Sequence, residues 1–299
     1  MTSHIEGSVV APWTRAVAFT GSTQGGRALA GLAAARPDPI PFYGELGGVN
    51  PVFITPHAAR MDWDLLGRQL ATSVLQGSGQ FCTKPGLIFV PAGADAEGLR
   101  LAFAETIRAA TSGRLLGASI VESFRIQSER ISSLDRAQVL AVGTGFAGEL
   151  DVVPMVLAIP GDAYAGQADE AGEEVFGPFA VIVDYESESE LVEHARGFTG
   201  CLTMTVIGDD ADATVTRQLY RIAERRAGRI LGAGVPTGVI VSWAQQHGGP
   251  WPATTSSLHT SVGAGSIERF LRPIAYQDVP TNYLPAYLRD DTAAPVRIA

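Results

Sequence analysis

Lysine is almost missing from these 299 residues: Lys84 stands alone, and arginine carries the rest of the basic charge. Asparagine occurs only at Asn50 and Asn282, and cysteine only at Cys82 and Cys201. Two thiols so far apart do not suggest a disulfide framework, so a reducing, cytoplasmic setting is expected. Positive charge is also short. With 22 Lys and Arg against 31 Asp and Glu, the net charge is −9. That argues against nucleic acid as the main partner, because phosphate binding wants a basic face. No apolar run approaches a membrane span, "GVIVSWA" in the C-terminal half being far too short. The opening "MTSHIEGSVVAPWTR" has no basic segment followed by an apolar one, so no secretory leader is expected. A G-x-S-x-G elbow is absent, which disfavours a serine hydrolase of that type. The five histidines show no metal-ligand spacing with either cysteine, so no metal is expected. His247, in "QQHGGPWP", reads as a loop residue rather than a ligand.

What remains is an ordinary globular composition, 46% hydrophobic and 18% charged. The length suits two domains or one large α/β domain. From residue 15, "RAVAFTGSTQGGRALAGLAAA" reads as strand, small polar turn and Ala/Leu-rich helix, half of a βαβ unit. "PIPFYGELGGVNPVFI" reads as strand, glycine-rich turn and strand. "MDWDLLGRQLATSVLQ" carries a helical stripe at Met61, Leu65, Leu66, Leu70 and Val74. "GLIFVP", "DVVPMVLAIP", "FAVIVDY" and "RILGA" read as strands; "DAEGLRLAFAETIRAA", "ASIVESFRIQSERISSL" and "DATVTRQLYRIAERR" as helices. Repeated β–α alternation predicts an α/β fold with an open, mostly parallel sheet. The tail "RDDTAAPVRIA" reads as extended or poorly ordered.

Four stretches carry candidate chemistry. "QGSGQFCTKPG" puts Cys82 on an irregular, approachable loop, whereas Cys201 opens an apolar strand and reads as structural. The helix before Cys82 ends there rather than beginning, so no helix dipole lowers the thiol pKa. "YGELGG" holds Glu45 between a strand and two glycines. "EEVFGPFAVIV" pairs Glu173 with Glu174 ahead of a buried strand, either for acid–base work or as a charged strand start. "FTGSTQGGR" places Gly21, Ser22 and Thr23 where a helix begins, which suits an anion and equally suits a plain N-cap. "GTGFAG", residues 143–148, matches a dinucleotide fingerprint, but the apolar, β-branched "ELDVVPMVLAIP" that follows is a strand, so the match is rejected.

Taken in order, "FTGSTQGGR", "ELGGVNP", "GQFCT" and "EEVFGPF" resemble the aldehyde dehydrogenase superfamily, from about residue 15 to about residue 285. "GQFCTKPGL", "HGGPWPATT" and "TSVGAGSIERFLRPIAYQDVP" are similar to the branch that holds α-ketoglutaric semialdehyde (2,5-dioxopentanoate) dehydrogenases. The resemblance implies a catalytic domain over 47–255, with 1–46 as a remnant of the Rossmann-like cofactor domain. It implies a C-terminal segment, 256–299, with an oligomerisation strand. It makes Cys82 the nucleophile and Glu45 the general base that hydrolyses a thioester. Glu174 becomes the acid that hydrogen-bonds the nicotinamide ribose, with Phe176 beside it, and Gly21 and Ser22 the turn near the pyrophosphate. The implied cofactor is NADP or NAD, the branch favouring NADP. The implied partners are a small aldehyde and a homo-oligomer or full-length homologue.

Only fourteen residues precede Arg15. The family places there the first cofactor-domain strands, a lysine near the adenosine ribose and an oxyanion-hole asparagine, so an N-terminally truncated member is expected. A non-catalytic remnant held by a partner and a residual thiol esterase stay open as alternatives. An acidic substrate would need a cationic pocket, met by arginine given the single lysine.

Overall fold

The computed structural model describes residues 2–60, 62–145 and 148–289. Helix α1 (Thr2–Val10), which the sequence pattern does not announce, leads to β1 (Val17–Thr20), α2 (Thr23–Ala34) and β2 (Phe42–Glu45). Arg36 fixes the end of α1: its guanidinium donates to the carbonyls of Val9 at 2.5 Å, Ala11 at 2.8 Å and Thr14 at 3.3 Å. A cation there satisfies carbonyls that the helix leaves without partners. Strands β1 and β2 pair in parallel, Val17 opposite Phe42 and Thr20 opposite Glu45. A small core of Val9, Leu29 and Ala33 packs α1 and α2 onto them.

The rest of the chain builds one seven-stranded sheet and one separate two-stranded antiparallel sheet. Its elements are β3 (Val52–Ile54), α3 (Trp63–Leu75), β4 (Leu87–Pro91), α4 (Glu97–Ala109), β5 (Gly113–Arg114) and α5 (Ala118–Ser132). There follow β6 (Gln138–Val142), β7 (Asp151–Val152), β8 (Met155–Pro160), α6 (Gly161–Gly166), α7 (Ala168–Ala171) and β9 (Phe179–Tyr185). Helix α8 (Glu188–Gly197), β10 (Cys201–Ile207), α9 (Ala213–Arg226) and β11 (Ala227–Leu231) complete it. In the seven-stranded sheet the strand order is β11-β10-β3-β4-β9-β8-β6, and only β6 runs antiparallel to its neighbour.

Both faces of this sheet are covered, which is why its strands read as continuous apolar runs rather than as alternations. Side chains still alternate in direction. Val52, Ile54, Ile88, Val90, Ala180 and Ile182 face α3 and α4, among Leu70, Val74, Leu99 and Phe103. Phe53, Leu87, Phe89, Val181 and Val183 face the other way, toward Phe124 of α5, Leu191 of α8 and Leu219 of α9. Phe53 and Phe89 sit opposite one another in register and stack at 4.8 Å.

Several expectations are refined. In α3, Leu70 and Val74 are buried while Leu65 faces outward, and Met61 lies outside the described residues. Pro154 splits the expected "DVVPMVLAIP" strand into β7 and β8. After β6 no helix opens among the described residues of 143–148 (Phe146 and Ala147 lie outside them), in keeping with rejection of that fingerprint. Between 256 and 289 the chain forms 3-10 turns at Ala264–Phe270, Thr281–Tyr283 and Ala286–Leu288, and no strand among the described residues. Pro273, Pro280 and Pro285 punctuate that stretch, and among the described residues no strand edge pairs with it. The tail from 290 lies outside the described residues. No described helix is long and apolar enough to cross a membrane.

Helices α3 and α4 pack closely at Gly67, where an added Cβ would lie 2.6 Å from the Leu99 carbonyl oxygen and 3.0 Å from Ala102 Cβ. Gly67→Ala must therefore push the helices apart, although alanine is the better helix former. The expected cost is about 1–3 kcal/mol, with a Tm lower by about 2–4 °C per kcal/mol in thermal denaturation. An unchanged or raised Tm would refute this packing.

Candidate active site

Glu45 is the last residue of β2, at the carboxyl end of a parallel pair, where α/β sheets place their ligands. The free edge of β2 is closed by a segment from far along the chain. Leu46 N donates to Ala253 O at 2.8 Å, Thr255 N to Gly44 O at 3.0 Å, and Gly44 N to Thr255 Oγ1 at 2.8 Å. This docking of "PATT" fixes the loop just before it, and with it His247. Ser261 N then donates to His247 O at 2.7 Å, and His247 N to Thr260 Oγ1 at 2.8 Å.

Cys82 follows the end of α3 and a 3-10 turn, Gln76–Gly79. Gly77, Ser78 and Gly79 all have positive φ, near 58°, 57° and 68°. A Cβ on Gly79 would fall 2.1 Å from the Gly177 carbonyl, so the glycine is needed for close approach of the "FGP" backbone. The glycines thus draw two segments together, and Cys82 is half-buried rather than openly exposed as the loop composition suggested. Asn50 holds the loop from below. Its amide donates to Cys82 O at 2.8 Å and Lys84 O at 3.2 Å, and its side-chain oxygen accepts from Thr203 N at 3.0 Å. With both N–H groups so engaged, it is a tether, not an oxyanion donor. Lys84 is buried too, donating from Nζ to Phe179 O at 2.7 Å.

These scaffolds bring Cys82, Glu45 and His247 together. Cys82 Sγ lies 3.2 Å from His247 Nε2, which lies 3.3 Å from Glu45 Oε1. The three donor atoms are all within 4.8 Å of one another. Ser261 Oγ donates to the other carboxylate oxygen, Oε2, and to His247 O at 3.0 Å. His247 is fully buried, and its Nδ1 has no hydrogen-bond partner among the described residues. Burial pushes the Cys82 thiol up to about 12, with the charge of Glu45 and a hydrogen bond to it adding to the rise. For Glu45, burial acts upward, but the hydrogen bond and charge of His247, with Ser261 and Cys82 behind them, hold the carboxyl below its ordinary value.

A cleft of about 720 Å³ opens in front of Cys82. Its lining includes Gly21, Ser22, Glu45, Cys82, Glu174 and Phe176, all six residues singled out from the sequence. Ser22 is the N-cap of α2, its hydroxyl accepting from Gly25 N at 3.2 Å. Glu174 Oε2 accepts from Gly48 N at 3.2 Å; burial pushes its carboxyl up, and the charge of Lys84 offsets only part of that. Its neighbour Glu173 instead turns outward to pair with Arg130. The two acids are therefore not a catalytic pair. Cys201 is buried at the start of β10, as its apolar setting suggested. A second cavity, of about 670 Å³ between α6 and α8, contains none of the six.

His247 and Ser261 were not picked out from the sequence as site residues. They lie 165 and 216 positions from Cys82 and Glu45 respectively, and no local spacing links them. The only signal was the texture "HGGPWPATT" itself.

The fold and the site define an α/β protein that sets a thiol and a carboxylate at the mouth of one cleft. The model of the aldehyde dehydrogenase family matches residues 6–230, and the chain belongs to that family. It is 39% identical to "Alpha-ketoglutaric semialdehyde dehydrogenase 2" of Azospirillum brasilense over 288 residues, 96% of this chain and 54% of that protein. It is 37% identical to "Alpha-ketoglutaric semialdehyde dehydrogenase" of Acinetobacter baylyi over 281 residues, 93% of this chain and 53% of that protein. The chain thus spans about half the length of these curated relatives. Among solved structures, gamma-glutamyl-gamma-aminobutyraldehyde dehydrogenase of Burkholderia cenocepacia shares the fold with a TM-score of 0.72 at 20% identity, over 88% of this chain and 52% of that one.

Burial, with the charge of Glu45 behind it, pushes the Cys82 thiol up, so the Glu45 charge should be visible in Cys82 reactivity. A raised thiol pKa means little thiolate at pH 8, and Glu45→Gln lowers that pKa by removing the neighbouring charge. Alkylation of Cys82 by iodoacetamide, followed by peptide mass spectrometry at pH 8, should be several-fold faster in the Glu45→Gln variant. A rate equal to or below that of the parent chain would contradict the geometry.

Proposed function

We propose that this chain oxidises a small aldehyde to a carboxylate through a thioester on Cys82. The observation that carries this reading is the convergence of Cys82 Sγ, His247 Nε2 and Glu45 Oε1 within 4.8 Å beside a substrate-sized cleft. A buried, protonated thiol is a poor nucleophile until a base takes its proton. In the tautomer with its proton on Nδ1, His247 Nε2, at 3.2 Å, can take it, and the Glu45 carboxylate beside that nitrogen offsets the positive charge that forms on the ring. The sulfur adds to the aldehyde carbon to give a thiohemiacetal. After oxidation to the thioester, Glu45 draws a proton from water, which adds to the acyl carbon and releases the carboxylate and the thiol.

The cleft suits the nicotinamide half of NAD or NADP. Gly21 and Ser22 at the N-terminus of α2 face it from one side, and Glu174, held by Gly48 N, and Phe176 from the other. Bound there, the dinucleotide would supply the hydride acceptor that the thioester route requires. The branch similarity favours NADP, and the residues that would read its 2′-phosphate belong to the part of the relatives that this chain does not match.

For substrate we propose a semialdehyde with a distal carboxylate, of the kind 2,5-dioxopentanoate represents. The names of the two relatives support this. A second activity is favoured by the completeness of the triad within this half-length chain. Hydrolysis of activated esters needs acylation and deacylation of Cys82 but no hydride acceptor.

Two assays on the purified chain test these readings. Oxidation of 2,5-dioxopentanoate with NADP or NAD should vanish in Cys82→Ala and fall by about 10²–10⁴-fold in His247→Gln. Hydrolysis of p-nitrophenyl acetate without nucleotide should show the same dependence on Cys82. Aldehyde turnover untouched by Cys82→Ala would reject the thioester route. Ester turnover without aldehyde oxidation would leave the chain a thiol esterase, and absence of both would make it a non-catalytic member of the family.

A further inference from the structure

We propose that Cys82, His247 and Glu45 also form a binding site for a thiophilic divalent cation, represented by Zn²⁺, that reversibly blocks the thiol. The three groups supply one sulfur, one imidazole nitrogen and one carboxylate oxygen, the donor types zinc takes at three-ligand sites with an open fourth position. Zinc bonds of about 2.3 Å to sulfur and about 2.0–2.2 Å to nitrogen and oxygen put tetrahedral donors about 3.3–3.6 Å apart. Here Sγ to Nε2 is 3.2 Å, Nε2 to Oε1 is 3.3 Å, and no pair exceeds 4.8 Å. The sulfur–oxygen pair, within 4.8 Å, would have to close by up to about 1.3 Å to seat the ion.

The surroundings support the same conclusion. Ser261 Oγ holds Glu45 Oε2, which leaves Oε1 turned toward the other two donors. Cys82 and Glu45 line the cleft, so the ion has an entry path and its fourth position can hold water or a substrate oxygen. One thiolate and one imidazole against a single carboxylate select zinc over Mg²⁺ or Ca²⁺, which want several oxygen ligands. On binding, the thiol releases its proton to solvent, and the dication is neutralised by the thiolate and the carboxylate.

The second shell limits the affinity. A zinc-bound histidine usually donates its other ring N–H to an acceptor, and loss of such support costs about 10–100-fold in affinity. His247 Nδ1 is buried without a partner among the described residues. The site is thus a reversible regulatory site rather than a structural zinc. That occupancy inhibits rests on the function proposed above; the binding itself does not.

Cobalt is the direct probe. Purified full chain titrated with Co²⁺ should develop a thiolate-to-cobalt charge-transfer band, which Zn²⁺ displaces and excess Mg²⁺ does not. Cys82→Ser should abolish the band and Cys201→Ser should retain it. Glu45→Gln and His247→Gln should each weaken Zn²⁺ binding by about tenfold or more. In the parent chain, Zn²⁺ but not Mg²⁺ should protect Cys82 from alkylation, a readout that needs no variant to fold. Absence of the band, its survival in Cys82→Ser, or alkylation indifferent to Zn²⁺ would overturn the site. Cobalt binding in a chain without aldehyde turnover would sustain the site and remove the function; turnover without cobalt binding would do the reverse.

Discussion

One side chain, Asn50, holds the reactive loop in register with the sheet. It occupies a left-handed backbone position, φ 52°, which asparagine tolerates better than most residues. From there its amide reaches both Cys82 O and Lys84 O, and its oxygen reaches Thr203 N of β10. Each such bond contributes about 1 kcal/mol net, yet each buried partner left unpaired would cost about 1–3 kcal/mol. The asymmetry matters more than the sum. A loop with three consecutive positive φ values has no ladder of its own to stay in place, and Asn50 stands in for the missing backbone partners. Lys84 extends the same clamp through Phe179 O to β9.

Around that fixed thiol the electrostatics work against premature reaction. Burial and the charge of the Glu45 carboxylate keep Cys82 protonated, while His247 offers a ring nitrogen in contact with both. Nε2 can accept the thiol proton only if the ring proton sits on Nδ1, and that atom has no acceptor among the described residues. The arrangement is therefore poised rather than relaxed. It disfavours a resting thiolate and gives a nearby charge or electrophile considerable leverage over which atom carries the proton. The same crowding of sulfur, nitrogen and oxygen that tunes the thiol is what makes the cluster a cage for a cation.

Much of this was legible in the sequence, and the parts that were not share a cause. The α/β alternation and the covered sheet follow from local patterns, whereas the convergence of Cys82, Glu45, Gly21, Ser22, Glu174 and Phe176 on one cleft was implied only by the order of motifs that resemble a family. Glu173 and Glu174 could not be told apart, because adjacent residues in an irregular segment point in different directions only once packing is known. Cys82 looked exposed because glycines near it suggested room; in the fold Gly79 gives up that room to the Gly177 backbone. His247 looked idle because its partners are supplied by strands and loops more than 150 positions away. Helix α1 was missed because a weakly patterned segment is held by Arg36 rather than by its own periodicity.

The position of His247 explains why a thiol and a carboxylate that both lie in the first 82 residues depend on the last third of the chain. Strand β2 has β1 on one side and would otherwise present an open edge on the other. Residues 253–255 fill that edge with backbone bonds at Leu46 and Thr255 and a side-chain bond at Gly44. Those bonds also set the loop that carries His247 and the turn that carries Ser261, whose hydroxyl orients Glu45. Loss of the edge pairing would release the carboxylate's partner, its orienting hydroxyl and the imidazole together. The three cannot be positioned independently, so the site is one cooperative unit rather than a sum of well-placed residues.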